Sequence, residues 1–175
     1  MNLNDTLITI LSRKSVRKYA EKTVPLDTLE LIVRAGMSAP SAVDRRPWDF
    51  IIIDERALLD SLADVLPYAS MARQAQAAFV VTGDLKRQHG GEGADFWICD
   101  CSAAVQNMLL AAESLGLGAV WTAVYPEMDR IAAVRSALDM PGHVLPLAFI
   151  PVGYPAEDTE AKDKFEAARI HHNRW

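Results

Sequence analysis

Residues 95–121, DFWICDCSAAVQNMLLAAESLGLGAVW, constrain this chain more than any other stretch. Ala103, Ala104, Ala111 and Ala112 favour a helix, while Trp97, Ile98, Val105, Met108, Leu109, Leu110 and Leu115 spread round most of its circumference instead of forming one stripe. A helix apolar on so many sides has to be buried on several of them. Gly116 suits the left-handed residue just past the last turn, Gly118 keeps the backbone open beside it, and residues 119–125 then read as a strand. Asp100, Gln106 and Asn107 interrupt the apolar surface. Once buried, each needs a partner or costs about 1–3 kcal/mol, and the backbone, a second subunit or a ligand could supply it.

The remaining elements alternate around that helix. Asn4 or Asp5 can cap a first helix with Leu3, Leu7, Ile8, Ile10 and Leu11 on its apolar side, and Asp27 with Glu30 forms a capping box for a second, stapled by Leu26 and Leu31 and loosening at Gly36. A proline-bearing loop spans 38–47. Residues 48–54, 77–83 and 144–152 are strands too continuously apolar to leave one face in water. Residues 58–66, 69–76 and 127–138 carry helical spacing, and 84–93 is a polar loop whose Gly90–Gly93 run matches neither a dinucleotide fingerprint nor a phosphate loop. The tail, 156–175, is charged but amphipathic, and its Ile170 and Trp175 call for a surface to cover. Strands interleaved with helices predict an α+β or α/β sandwich.

With 175 residues, half of them hydrophobic and 23% charged, the chain suits one ordered domain spanning 1–175. Its net charge of -5 argues against nucleic-acid binding, so any anion has to be met by a local basic cluster. No signal peptide is expected, because residues 1–19 lack a basic stretch ahead of their apolar residues and a small-residue cleavage site. No apolar run approaches the ~18 residues of a membrane helix, and a cytoplasmic protein is the expectation. Cys99 and Cys101 point to different helix faces and are expected to be reduced packing residues.

Chemistry concentrates in one place. His171 and His172 lack metal-ligand spacing, no nucleophile elbow is present, and no paired carboxylates stand out, so neither a metal site nor a catalytic acid, base or nucleophile is assigned. Arg13, Lys14, Ser15 and Arg17, by contrast, offer guanidinium forks, an ammonium and a hydroxyl within five residues. That is the donor set a phosphate monoester dianion requires.

Taken in order, this cluster, the loop Pro40, Ser41, Ala42, Val43, Asp44, Arg45, Arg46, Pro47, Trp48, the glycine-bracketed Gly116, Leu117, Gly118 ahead of Trp121, and the closing Lys162 and Lys164 resemble the FMN-dependent nitroreductase family, particularly its short members. The resemblance covers essentially the whole chain. It implies an α+β sandwich with a mostly antiparallel sheet flanked by helices, an intertwined homodimer, and a C-terminal arm, 156–175, lying over the partner. It further implies FMN held by its phosphate at Arg13, Lys14, Ser15 and Arg17 with Lys162 or Lys164 joining. Pro40, Ser41, Ala42 and Asp44 would approach the flavin from the other subunit, and the backbone at Trp121, Thr122 and Ala123 would lie beside its reactive edge. The implied activity is ping-pong hydride transfer through flavin N5, from NADH or NADPH to an electron-poor nitroaromatic or quinone.

Three positions depart from the family pattern. Its usual Asn and Gln are Asp44 and Arg46 here, opposite charges that largely cancel if they pair, and Lys164 replaces an Arg, giving up bidentate phosphate geometry. A non-catalytic FMN carrier or flavin sensor would use the same pocket. A helical interaction protein would use none of it.

Overall fold

A computed structural model describes residues 4–90 and 94–175; Leu3 of the expected first helix and the last three residues of the expected polar loop lie outside them. Five helices are seen among the described residues: α1 (Asp5–Ser12), α2 (Leu26–Met37), α3 (Arg56–Val65), α4 (Phe96–Ser114) and α5 (Met128–Ala137). The strands are β1 (Trp48–Ile53), β2 (Ala77–Asp84), β3 (Gly118–Ala119), β4 (Thr122–Ala123) and β5 (Val144–Gly153). They form one antiparallel sheet in the order β1-β2-β5-β3, with β4 also on β5. Alternate residues of β2 serve opposite cores. Ala77, Phe79 and Val81 pack beneath α2 and α4, while Ala78 and Val80 join Leu59, Leu62, Ile131 and Val134 from α3 and α5. With both faces covered, the unbroken apolar runs of β2 and β5 follow.

α4 ends as its sequence requires. Gly116 adopts φ +72°, its N–H donates to Glu113 O at 3.0 Å, and the Leu117 N–H reaches back to Ala112 O at 2.9 Å, the double closure of a Schellman turn. The expected strand 119–125 is instead two short segments. Ala119 faces Val152 and Thr122 faces Phe149, one continuous register, so β3 and β4 are a single ribbon with a gap. Pro151 explains the gap: Val120 N–H donates to Pro151 O at 3.3 Å, and proline has no N–H to return the bond.

Three local expectations need correction. α2 starts at Leu26 behind Pro25 with no side-chain cap, so no Asp27–Glu30 capping box forms; Asp27 Oδ1 accepts from Thr28 N at 2.6 Å, and the proposed staple residues Leu26 and Leu31 are both exposed. Pro25 supplies the extended entry that a capping side chain otherwise would. Gly36 does not loosen α2. It is buried within it, and a Cβ there would stand 2.9 Å from Met108 Cγ, so its absent side chain is what lets α2 approach α4. The expected helix 69–76 is one short 3-10 turn, Ser70–Arg73.

Candidate active site

The first site element is the extended segment that follows α1. Val16 is buried and its N–H donates to Ala119 O at 3.1 Å, which adds this segment to the edge of the sheet; alternation then turns Ser15 and Arg17 outward. Buried Tyr19 locks the segment from behind, its hydroxyl donating to Val16 O at 2.7 Å and Pro151 O at 3.1 Å. Burial raises its phenol pKa far above the ordinary range, so it stays a neutral donor.

The same edge captures the start of the tail. Ala20 N–H donates to Tyr154 O at 2.9 Å, Ala156 N–H to Lys18 O at 3.0 Å, and Lys18 Nζ lies 2.9 Å from Glu157 Oε2. The two ends of the chain are thereby joined beside the cationic segment. A cavity of about 390 Å³ opens between them, lined by Arg13, Lys14, Ser15, Arg17, Thr159, Glu160, Lys162 and Lys164. All four predicted phosphate ligands and both tail lysines thus meet at one place. Lys14 is paired with Glu113 of α4 at 2.9 Å. Among the described residues Arg13, Arg17, Lys162 and Lys164 have no such partner, so the cavity keeps an excess of uncommitted positive charge over the single carboxylate, Glu160, that lines it.

Arg17 also lines a second cavity, of about 230 Å³, together with Pro67, Tyr68, Val120, Trp121, Thr122, Ala123 and Arg130. Here the sequence-predicted Trp121, Thr122 and Ala123 are found. The Thr122 hydroxyl is committed to Phe149 O, and Arg130 Nη1 donates to Ala123 O at 3.1 Å. Tyr68, Arg130, Thr159, Glu160 and Glu113 escaped the sequence reading, since none of them sits in a recognisable run.

The loop residues Pro40, Ser41, Ala42 and Asp44 line neither cavity. Their loop rests on α4, where buried Asp100, 5% exposed, accepts from Ala42 N through Oδ1 at 2.9 Å. Asn107 likewise donates to Ala35 O at 3.1 Å, whereas Gln106 is exposed and needs no protein partner. Within the loop the Ser41 hydroxyl accepts from Arg46 N at 2.9 Å, and Arg46 grips Asp44 with two nitrogens, its Nε lying 2.7 Å from Oδ1. That hydrogen bond holds the Asp44 carboxyl below its ordinary pKa. Val43, Asp44 and Arg46 all have positive φ (51°, 55° and 48°), a conformation that non-glycine residues adopt only when their surroundings over-determine it.

Comparison with known proteins bears on the chain and its fold as a whole. A protein of Methanothermobacter thermautotrophicus, provisionally named an NADH dehydrogenase/NAD(P)H nitroreductase, is 46% identical over 98% of this chain and 88% of its own. A similarly named crystal structure from Parabacteroides distasonis superposes with a TM-score of 0.94 at 52% identity, covering 99% of this chain and 100% of its own. An FMN-dependent nitroreductase of Clostridium difficile gives a TM-score of 0.87 at 28% identity, over 95% and 98% of the two chains. The family model described as the nitroreductase family matches residues 10–69 and 58–154. An edge-captured cationic segment, the sheet it joins and the relatives that share nearly the full length lead to one assignment: this chain belongs to the nitroreductase family.

Proposed function

We propose that this protein is an FMN-dependent NAD(P)H oxidoreductase that reduces an electron-poor nitroaromatic or quinone. The observation carrying the proposal is the cavity in which Arg13, Lys14, Ser15 and Arg17 meet Lys162 and Lys164. Its donor set suits a phosphate monoester: two guanidinium forks, a hydroxyl and ammonium groups, with more free cations than a dianion neutralises. Bound FMN would supply the redox chemistry, a ping-pong hydride transfer through its N5 between nicotinamide and acceptor.

The protein's own share is placement and charge. Arg13 and Arg17 hold the phosphate, Lys162 and Lys164 close over it from the tail, and the backbone at Trp121, Thr122 and Ala123 lies along the reactive edge. No side chain is assigned a proton. Pro40, Ser41, Ala42 and Asp44 come from a second subunit, consistent with their separation from both cavities in the single chain.

The homodimer rests on uncovered apolar surface. α1 has no buried residue at all, and Leu7, Ile8, Ile10 and Leu11 are all exposed, as are Phe165 and Trp175 of the arm formed by 156–175. A contiguous apolar helix is rarely left in water, and a second copy covers it here. The whole of 1–175 acts as one FMN-binding domain.

The test is anaerobic mixing of the FMN-loaded protein with NADH and with NADPH. Loss of the oxidised-flavin absorbance within seconds, followed by its return on adding a nitroaromatic or quinone, is expected. A flavin that neither nicotinamide bleaches would make the protein a carrier or sensor instead.

A further inference from the structure

Asp100 is a charged residue to which the reading above gives no task. It lies 5% exposed in α4, a helix whose other buried side chains are apolar or a cysteine. Its Oδ2 is buried and has no hydrogen-bond partner among the described residues, so the carboxylate is carried inside the protein half satisfied. An apolar side chain in its place would avoid that cost, and packing therefore gives no reason for the charge. The reason lies with the other oxygen. Oδ1 accepts from Ala42 N at 2.9 Å, which reaches from α4 to the loop joining α2 to β1.

That loop has little else to fasten it. Val43, Asp44 and Arg46 have left-handed φ, which for a β-branched valine is an outlier conformation, and residues 43–46 are all exposed, Val43 by 72%, so burial does not hold them. The bonds from Arg46 to Ser41 and Asp44, from Asp44 N to Ser41 O and from Arg45 N to Ala42 O stay within the loop and move with it. Among the described residues, the bond from Ala42 N to Asp100 is the one hydrogen bond that ties residues 40–46 to the rest of the protein. Its acceptor is ionised, which makes it about twice as strong as a neutral bond. We infer that Asp100 is a positioning residue, a buried anchor that sets the 40–46 loop on α4 and, through it, the wall that the loop presents to the flavin. This rests on the reading above that Pro40, Ser41, Ala42 and Asp44 reach a flavin across the subunit boundary, and it adds the residue that holds them in place. Asp100 acts through Ala42, from inside α4.

Asp100→Ala removes the acceptor, whereas Asp100→Asn keeps one in nearly the same place as an amide oxygen. Hydrogen exchange of the apoprotein, read by mass spectrometry over residues 40–47, is expected to run about tenfold faster in Asp100→Ala with β2 and β5 unchanged, and near the wild-type rate in Asp100→Asn. Fluorescence titration is expected to show FMN and riboflavin both bound about tenfold more weakly by Asp100→Ala, because the loop bears on the ring that they share, with the ratio between the two flavins intact. Asp100→Asn restores most of that affinity. A partly unfolded preparation would lower the number of binding sites and not the affinity of those that remain. Faster exchange spread through β2 and β5 would mark Asp100 as a structural residue only and overturn the inference. Unchanged exchange over 40–47, an Asp100→Asn protein as impaired as Asp100→Ala, or flavin affinities that a freed loop leaves untouched would overturn it as well. The parent reading is judged on the wild type: failure of both nicotinamides to bleach its flavin sinks that reading alone, since neither exchange nor titration involves turnover.

Discussion

Gly118 has no room for a methyl group. A Cβ there would stand 2.5 Å from Val16 Cβ, against a residue whose buried side chain and N–H fix the direction of Ser15 and Arg17. Gly118→Ala is therefore expected to cost about 1–3 kcal/mol in urea denaturation and to weaken FMN retention, because Val16 has to move and the cationic segment moves with it. Asp44 and Arg46 act differently, since both are on the surface. With its carboxyl pKa depressed by Arg46, Asp44 contributes to holding the loop at any pH above the ordinary carboxylate value, and the contribution fades as pH falls through the depressed one. In Arg46→Gln the Asp44 carboxyl, followed by NMR titration, is expected to return upward toward an ordinary aspartate; an unmoved titration would show that the pairing is not made in solution. Val43 marks the limit of residue-level reading, as nothing about a valine announces a left-handed backbone.

Among elements, α4 was legible because length, composition and Gly116 all agreed. The interruption between β3 and β4 was not, since it depends on Pro151 facing Val120 across the sheet, a pairing that no local pattern reveals. α2 misled for another reason: Asp27 and Glu30 have the spacing of a capping box, but Pro25 begins the helix two residues earlier in the chain. α1 carries the element-scale prediction. Its apolar residues contribute nothing to either face of the sheet, so Ile8→Asp with Leu11→Asp should leave the protomer's cores intact and abolish the dimer. Sedimentation velocity at micromolar concentration should then show a folded species of half the wild-type mass. A wild-type protein that already sediments at 19.3 kDa would contradict the dimer itself.

For the molecule as a whole, the site depends on contact between residues more than a hundred positions apart. The cationic run near the start and the lysines near the end were each visible in the sequence, and their order fitted a family, yet only the pairing of Ala20 with Tyr154 and Ala156 with Lys18 brings them to one cavity. Tyr68 and Arg130 were invisible for the converse reason: they come from unremarkable stretches that the fold sets beside Trp121. Since phosphate grip is the claim on which the proposed FMN site stands, the decisive measurement compares FMN with riboflavin, which lacks only the phosphate. Fluorescence titration of the apoprotein is expected to show FMN binding at least ~100-fold more tightly than riboflavin, with Arg13→Ala combined with Arg17→Ala removing most of that difference. Equal affinity for the two flavins, or a preference that survives the double substitution, would contradict the account.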